Sequence, residues 1–239
     1  MAMKNWKKTV LVLAVVTVVL VLTCGIYAGD YYRAEETAVA VSEDIAVKIT
    51  EDRAVFAPKG AEAGLIFYPG GKVEFTAYAP LMAELAKENV LCVLLKMPMN
   101  LAVLDVNAAA GIPEQFPEVE RWYLAGHSLG GSMAASFAAE NTDFYEGLIL
   151  LAAYSTEDLS GTDLKVCSLY GDRDGVLNLE KYEQYRSNLP EDTLETVLEG
   201  GNHAGFGSYG PQEGDGESTL ASGEQLQWTA DTIAAFIGN

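Results

Sequence analysis

Histidine is the scarcest reactive side chain in this 239-residue sequence, present only as His127 and His203. Cysteine is nearly as rare: Cys24, Cys92 and Cys167 are far apart and none belongs to a CxxC pair. So few thiols exclude a disulfide-scaffolded mini-protein. With two histidines and no paired cysteines, no cysteine–histidine metal site is expected. Cys92 in VLCVLL and Cys167 in KVCSLY sit in apolar runs, where buried, unpaired thiols are expected. Basic residues are also few, 15 Lys and Arg against 34 Asp and Glu. Lys4, Lys7 and Lys8 precede every acid, so residues 30–239 carry a net charge of −22. A surface that acidic repels phosphate backbones, and no nucleic-acid partner is expected. Apolar residues are plentiful, at 49% against 21% charged, which excludes a largely disordered chain.

One apolar run stands apart from the rest. Residues 9–29, TVLVLAVVTVVLVLTCGIYAG, contain no charged side chain. A helix of 21 residues rises about 30 Å, the thickness of a bilayer's hydrocarbon. The lysines precede this run, and Asp30, Glu35 and Glu36 follow it. The positive-inside rule then predicts a basic cytoplasmic tip at 1–8, a single-pass transmembrane signal anchor at 9–29 and an extracytoplasmic domain. Two alternatives keep that location: a lipoprotein signal ending at Cys24, or cleavage after Ala28.

Beyond this run, residues 30–62 are polar, a linker with short strand patterns at 45–50 and 54–57. From residue 63 onward strand and helix patterns alternate. Strands are expected at 65–68, 90–95, 121–125, 147–152, 165–170 and 193–198. Helices are expected at 75–89, 101–110, 130–140, 179–189 and 225–237. Such alternation predicts βαβ units and a mainly parallel sheet flanked by helices, with reactive groups beyond the strands' carboxyl ends.

Three loops meet that positional test. Strand 121–125 leads into Gly126-His127-Ser128-Leu129-Gly130-Gly131, a G-x-S-x-G elbow that exposes a serine hydroxyl at the start of a helix. Serine needs a base to become a nucleophile. His203 follows the last strand, whereas His127 adjoins Ser128 and is expected to point away from it. The acid should follow the preceding strand, in Gly171-Asp172-Arg173-Asp174. Asp174 is the expected partner of His203 because it stands farther from the strand end, and Asp172 is the alternative. An oxyanion hole requires two backbone N–H groups. Leu129 should supply one, and Gly71 the other from Pro69-Gly70-Gly71-Lys72, with Lys72 as the alternative.

Residues 63–238 resemble an α/β-hydrolase through GHSLGG, GDRDGV and GGNHAGFGSYG. The stretches FYPGGKV and GGNHAGFGSYGPQEGDG are similar to those of small bacterial α/β-hydrolase-domain proteins with an N-terminal membrane segment. That resemblance implies a serine hydrolase with an Asp–His pair over residues 63–239, and no cofactor. Many of the family have His-Gly in the oxyanion loop where this chain has Pro69-Gly70. The expected reaction is hydrolysis of a small acyl ester through Ser128, His203 and Asp174. Acyl transfer, amide or peptide cleavage, and an inactive surface-anchored binding module are the alternatives. The ten residues 155–164, where such folds often insert a lid, are too few for a cap domain.

Overall fold

Alternate residues of a fully buried strand face opposite sides of its sheet, and each side must find a cover. In the computed structural model, which describes residues 2–36, 45–221 and 223–238, both sides are covered. The chain divides into two units, Met1–Tyr31 and Tyr32–Asn239.

The second unit is built on one eight-stranded sheet. Its strands are β1 (Ile45–Ile49), β2 (Arg53–Pro58), β3 (Ala63–Tyr68), β4 (Val90–Leu95), β5 (Arg121–His127), β6 (Gly147–Leu151), β7 (Lys165–Gly171) and β8 (Leu194–Leu198). Their order is β1-β2-β4-β3-β5-β6-β7-β8. The β1–β2 and β2–β4 pairs are antiparallel, and all the remaining pairs are parallel. Leu65 and Phe67 of β3, with Cys92 and Leu94 of β4, join one core. Helices α2 (Ala79–Lys87) and α5 (Glu224–Gly238) cover it through Leu81, Met82, Leu85, Ile233 and Ile237. Ile66, Val93, Leu124, Leu148 and Leu150 face the other way, onto Ala134, Ala135 and Ala138 of α3 (Leu129–Ala139). A short α4 (Leu179–Tyr185) follows β7, with Asn178 accepting the Lys181 N–H at 2.9 Å as its N-cap. Residues 152–164, between β6 and β7, contain no helix, so nothing resembling a lid domain is inserted there.

The helix expected at 101–110 does not form. Only Ala102–Leu104 makes a 3₁₀ turn. The Tyr68 hydroxyl at the end of β3 donates to the Val106 carbonyl at 2.8 Å and accepts the Ala109 N–H at 3.2 Å. A buried tyrosine thus takes backbone groups that a helical ladder would otherwise pair. Cys92 and Cys167 are buried and unpaired, and burial pushes the Cys167 thiol up to about 12.

The first unit contains α1, one helix over Ala2–Gly29. Its large apolar side chains from Val10 to Val19 are exposed. Among the described residues no helix is long and apolar enough to cross a membrane. The expected transmembrane span therefore gains no support from the described side chains. Cys24, the alternative point of lipidation, lies outside them, as does the 37–44 part of the expected linker.

Candidate active site

Ser128 sits where β5 gives way to α3, with φ 53° and ψ −124°. A non-glycine residue rarely adopts this conformation, so its surroundings must enforce it. Two bonds do so: Ser128 N–H donates to the Leu151 carbonyl at 2.9 Å, and its own carbonyl accepts the Ser132 N–H at 3.2 Å. The flanking glycines are a steric requirement. A Cβ on Gly126 would stand 2.6 Å from the Gly130 carbonyl, and one on Gly130 would collide with the carbonyl oxygens of Tyr68 and Pro69.

His203 and Asp174 meet beside this edge of the sheet. His203 Nδ1 and Asp174 Oδ2 are 2.8 Å apart, and each side chain is only 1% exposed. The other Asp174 oxygen accepts the Val176 and Leu177 N–H groups at 2.8 and 2.7 Å, which fixes the carboxylate's direction. Asp172 is occupied elsewhere: it accepts the Gly200 N–H at 2.7 Å and stands 3.8 Å from the Arg173 guanidinium. His203 Nε2 is buried and has no hydrogen-bond partner among the described residues. No hydrogen bond joins it to Ser128 Oγ.

Where β3 ends, the Lys72 N–H is taken by the Asn100 carbonyl at 2.7 Å, and the Gly70 N–H by the Tyr78 hydroxyl at 3.1 Å. Neither Gly71 N–H nor Leu129 N–H has a hydrogen-bond partner among the described residues. The two positions adjoin, since a Cβ on Gly71 would lie 3.0 Å from the Leu129 side chain. Gly71 and Leu129 therefore have their donors available, whereas the alternative at Lys72 is engaged.

Two further residues shape this site. Tyr78 is fully buried, and its hydroxyl both receives Gly70 N–H and lies 2.8 Å from His127 Nδ1. Burial, and then the neighbouring His203, hold the His127 pKa well below the ordinary histidine value. His127 is thus a neutral packing partner at pH 7, its ring 4.4 Å from that of His203. Asp215 is the second. Its carboxylate accepts N–H bonds from Gly175 at 3.0 Å, His203 at 3.2 Å, Ala204 at 2.8 Å and Gly216 at 2.8 Å. It bolts the acid turn to the histidine loop. The trace it leaves in the sequence is in glycines: a Cβ on Gly175 would meet the backbone of residues 214–216, one on Gly216 would collide with the Arg173 carbonyl, and Gly214 has φ 83°.

A mainly parallel sheet with a strained strand-to-helix elbow, and a buried carboxylate–imidazole pair at the same edge, defines a hydrolase of the α/β class. Residues 64–227 match the Alpha/beta hydrolase family, and the chain belongs to it. The fold is similar to that of a predicted CIB-like hydrolase from Thermoplasma acidophilum. That match has a TM-score of 0.55 and 16% identity, covering 80% of this chain and 99% of that one. TT1662 from Thermus thermophilus is also similar, with a TM-score of 0.59 and 16% identity over 81% of this chain and 97% of that one. No protein of curated function matches the sequence.

Proposed function

We propose that the protein is a serine hydrolase that cleaves carboxylic esters of small substrates through an acyl-enzyme. The observation that carries this reading is the buried 2.8 Å contact between Asp174 and His203, at the sheet edge where Ser128 forms the elbow. Ser128 Oγ attacks the acyl carbonyl while His203 Nε2 takes its proton and passes it to the leaving alcohol. Water then repeats the sequence to release the acid. Asp174 holds the proton on Nδ1, leaving Nε2 as the acceptor, and stabilises the imidazolium. The N–H groups of Gly71 and Leu129 receive the oxyanion, each contributing about 10²–10³ in rate. This chemistry uses no metal or organic cofactor.

Substrate size follows from the short β6–β7 connection. With no lid there is little surface to enclose a long acyl chain, and each CH₂ yields only part of its roughly 0.8 kcal/mol. Across p-nitrophenyl esters from acetate to palmitate, kcat/KM is expected to be highest at the short end. A steady rise toward palmitate overturns the small-substrate reading, and no turnover of any ester overturns the esterase.

The same reading places the enzyme on the outer face of the cell membrane, held by α1. Its support is the charge-free stretch 9–29 within one 28-residue backbone helix, preceded by lysines and followed by acids. Protease added to intact cells should digest the acidic domain. Protection until lysis overturns this orientation.

A further inference from the structure

The residues that open the second unit are tied to two loops of the candidate site. Tyr32 N–H donates to the Lys72 carbonyl at 2.8 Å, and the Tyr32 carbonyl accepts the Glu74 N–H at 2.9 Å, forming a parallel bridge to Val73. Ala34 N–H donates to Glu74 Oε2 at 3.1 Å. On the other side, Glu35 N–H donates to the Ser208 carbonyl at 2.8 Å, and Glu35 Oε2 accepts the Ser208 hydroxyl at 3.2 Å. The Tyr32 hydroxyl accepts the Glu213 N–H at 3.1 Å, and the Tyr32 ring lies 5.7 Å from that of Tyr209. Four residues thus join the turn after β3 to the loop that carries His203. One direct bond, Ser208 N–H to the Ala77 carbonyl at 2.8 Å, also links these regions, but it lies outside the Gly70–Lys72 turn.

The turn needs outside support. Lys72 has φ 60°, a left-handed conformation that costs a non-glycine residue energy. Its N–H is held by Asn100 and its carbonyl by Tyr32; that carbonyl shares a peptide with Val73 N–H, which donates to the Gly70 carbonyl at 3.3 Å, the other half of the peptide whose donor is Gly71 N–H. From Tyr209 the packing continues through Tyr78, ring to ring at 6.4 Å, and then to His127, which contacts His203.

We infer that residues 32–35 form a positioning strap. Tyr32 and Glu35 hold the oxyanion turn and the histidine loop in register, so that Gly71 N–H and His203 address one acyl carbonyl. The inference rests on the serine-esterase reading above. Neither residue touches substrate; their effect passes through Lys72, Ser208 and Tyr209. Misplacement of a catalytic group by about 1 Å costs about 10²-fold in rate, while binding of a small ester depends little on it.

The test uses the full chain and three variants, Tyr32→Ala, Tyr32→Leu and Tyr32→Phe. It reads kcat and KM for p-nitrophenyl acetate, the rate of fluorophosphonate labelling, and the melting temperature, with activities measured well below each variant's own melting. Tyr32→Ala should lower kcat and labelling rate together by about 10- to 100-fold, with KM changed by less than about threefold. Tyr32→Phe loses only the bond from Glu213 N–H and should recover to within about threefold of the parent. Tyr32→Leu keeps apolar bulk at the site, and should show the same kcat loss even if the alanine variant does not fold. Parental kcat in the folded alanine or leucine variant overturns the strap. So does a loss that tracks only the unfolded fraction, or failure of phenylalanine to restore the rate. If the parent neither labels nor turns over ester, the serine-esterase reading itself falls, and the strap with it.

Discussion

Ser128→Ala should abolish fluorophosphonate labelling and lower ester turnover by about 10⁶, the loss that removal of a triad serine causes elsewhere. Only an activated hydroxyl reacts with such a probe, and activation requires both the elbow and a base. The substitution leaves Cβ in place, and alanine meets the same penalty at φ 53° that serine already bears. The hydroxyl it removes makes no hydrogen bond among the described residues, so the melting temperature should barely move. The loss will then be one of chemistry rather than of folding. Ser132 supplies the control. Its hydroxyl donates to the Tyr154 carbonyl at 2.8 Å and is committed to packing, so Ser132→Ala should still be labelled. Undiminished labelling of Ser128→Ala would assign the nucleophile to another residue.

Legibility of the fold followed the range of the forces involved. Strands such as VLCVLL and GLILL are buried on both faces, and that burial writes itself into the sequence as an unbroken apolar run. Residues 101–110 carry helix-forming composition, but the Tyr68 hydroxyl, about forty positions earlier, claims their backbone. The strap was harder still to read. Tyr32–Glu35 has no periodic pattern, and its partners at Ser208 and Glu213 are 173 and 181 positions away. A polar segment held by distant backbone groups looks, in sequence, like a linker.

The candidate site divides in the same way. Ser128 follows directly on β5, and Asp174 and His203 lie in the loops that follow β7 and β8, so the strand pattern points to all three. Tyr78 and Asp215 act on N–H groups of other segments: Gly70 for the first, Gly175 and His203 for the second. Tyr78 reads as an ordinary apolar position at the start of a helix, and Asp215 as one acid among many in a chain of net charge −19. What a side chain bonds to is a tertiary fact unless a turn or cap confines it locally.

The choice between the two aspartates of the GDRD turn is decided by what an amide can replace. In Asp174→Asn, the side-chain oxygen can still accept the Val176 and Leu177 N–H groups, so the turn should persist. Facing His203 Nδ1, the amide NH₂ is a donor where the carboxylate was an acceptor. The imidazole must then carry its proton on Nε2 and present Nδ1 to the amide, which removes the lone pair that would take the Ser128 proton. The imidazolium formed during attack also loses its counter-charge in a site where both partners are buried. Turnover should fall by about 10⁴, with little change in stability. Asp172→Asn poses a different problem. Asp172 is partly exposed, and the one strong bond it accepts, from Gly200 N–H, can be accepted equally by an amide oxygen. Its contact with Arg173 is long and solvent-screened. That variant should keep most of its activity. Steady-state kcat for the pair, measured alongside their melting temperatures, separates the roles. If Asp172→Asn shows the greater loss at unchanged stability, the acid of this site is Asp172, and the contact between Asp174 and His203 only braces the turn.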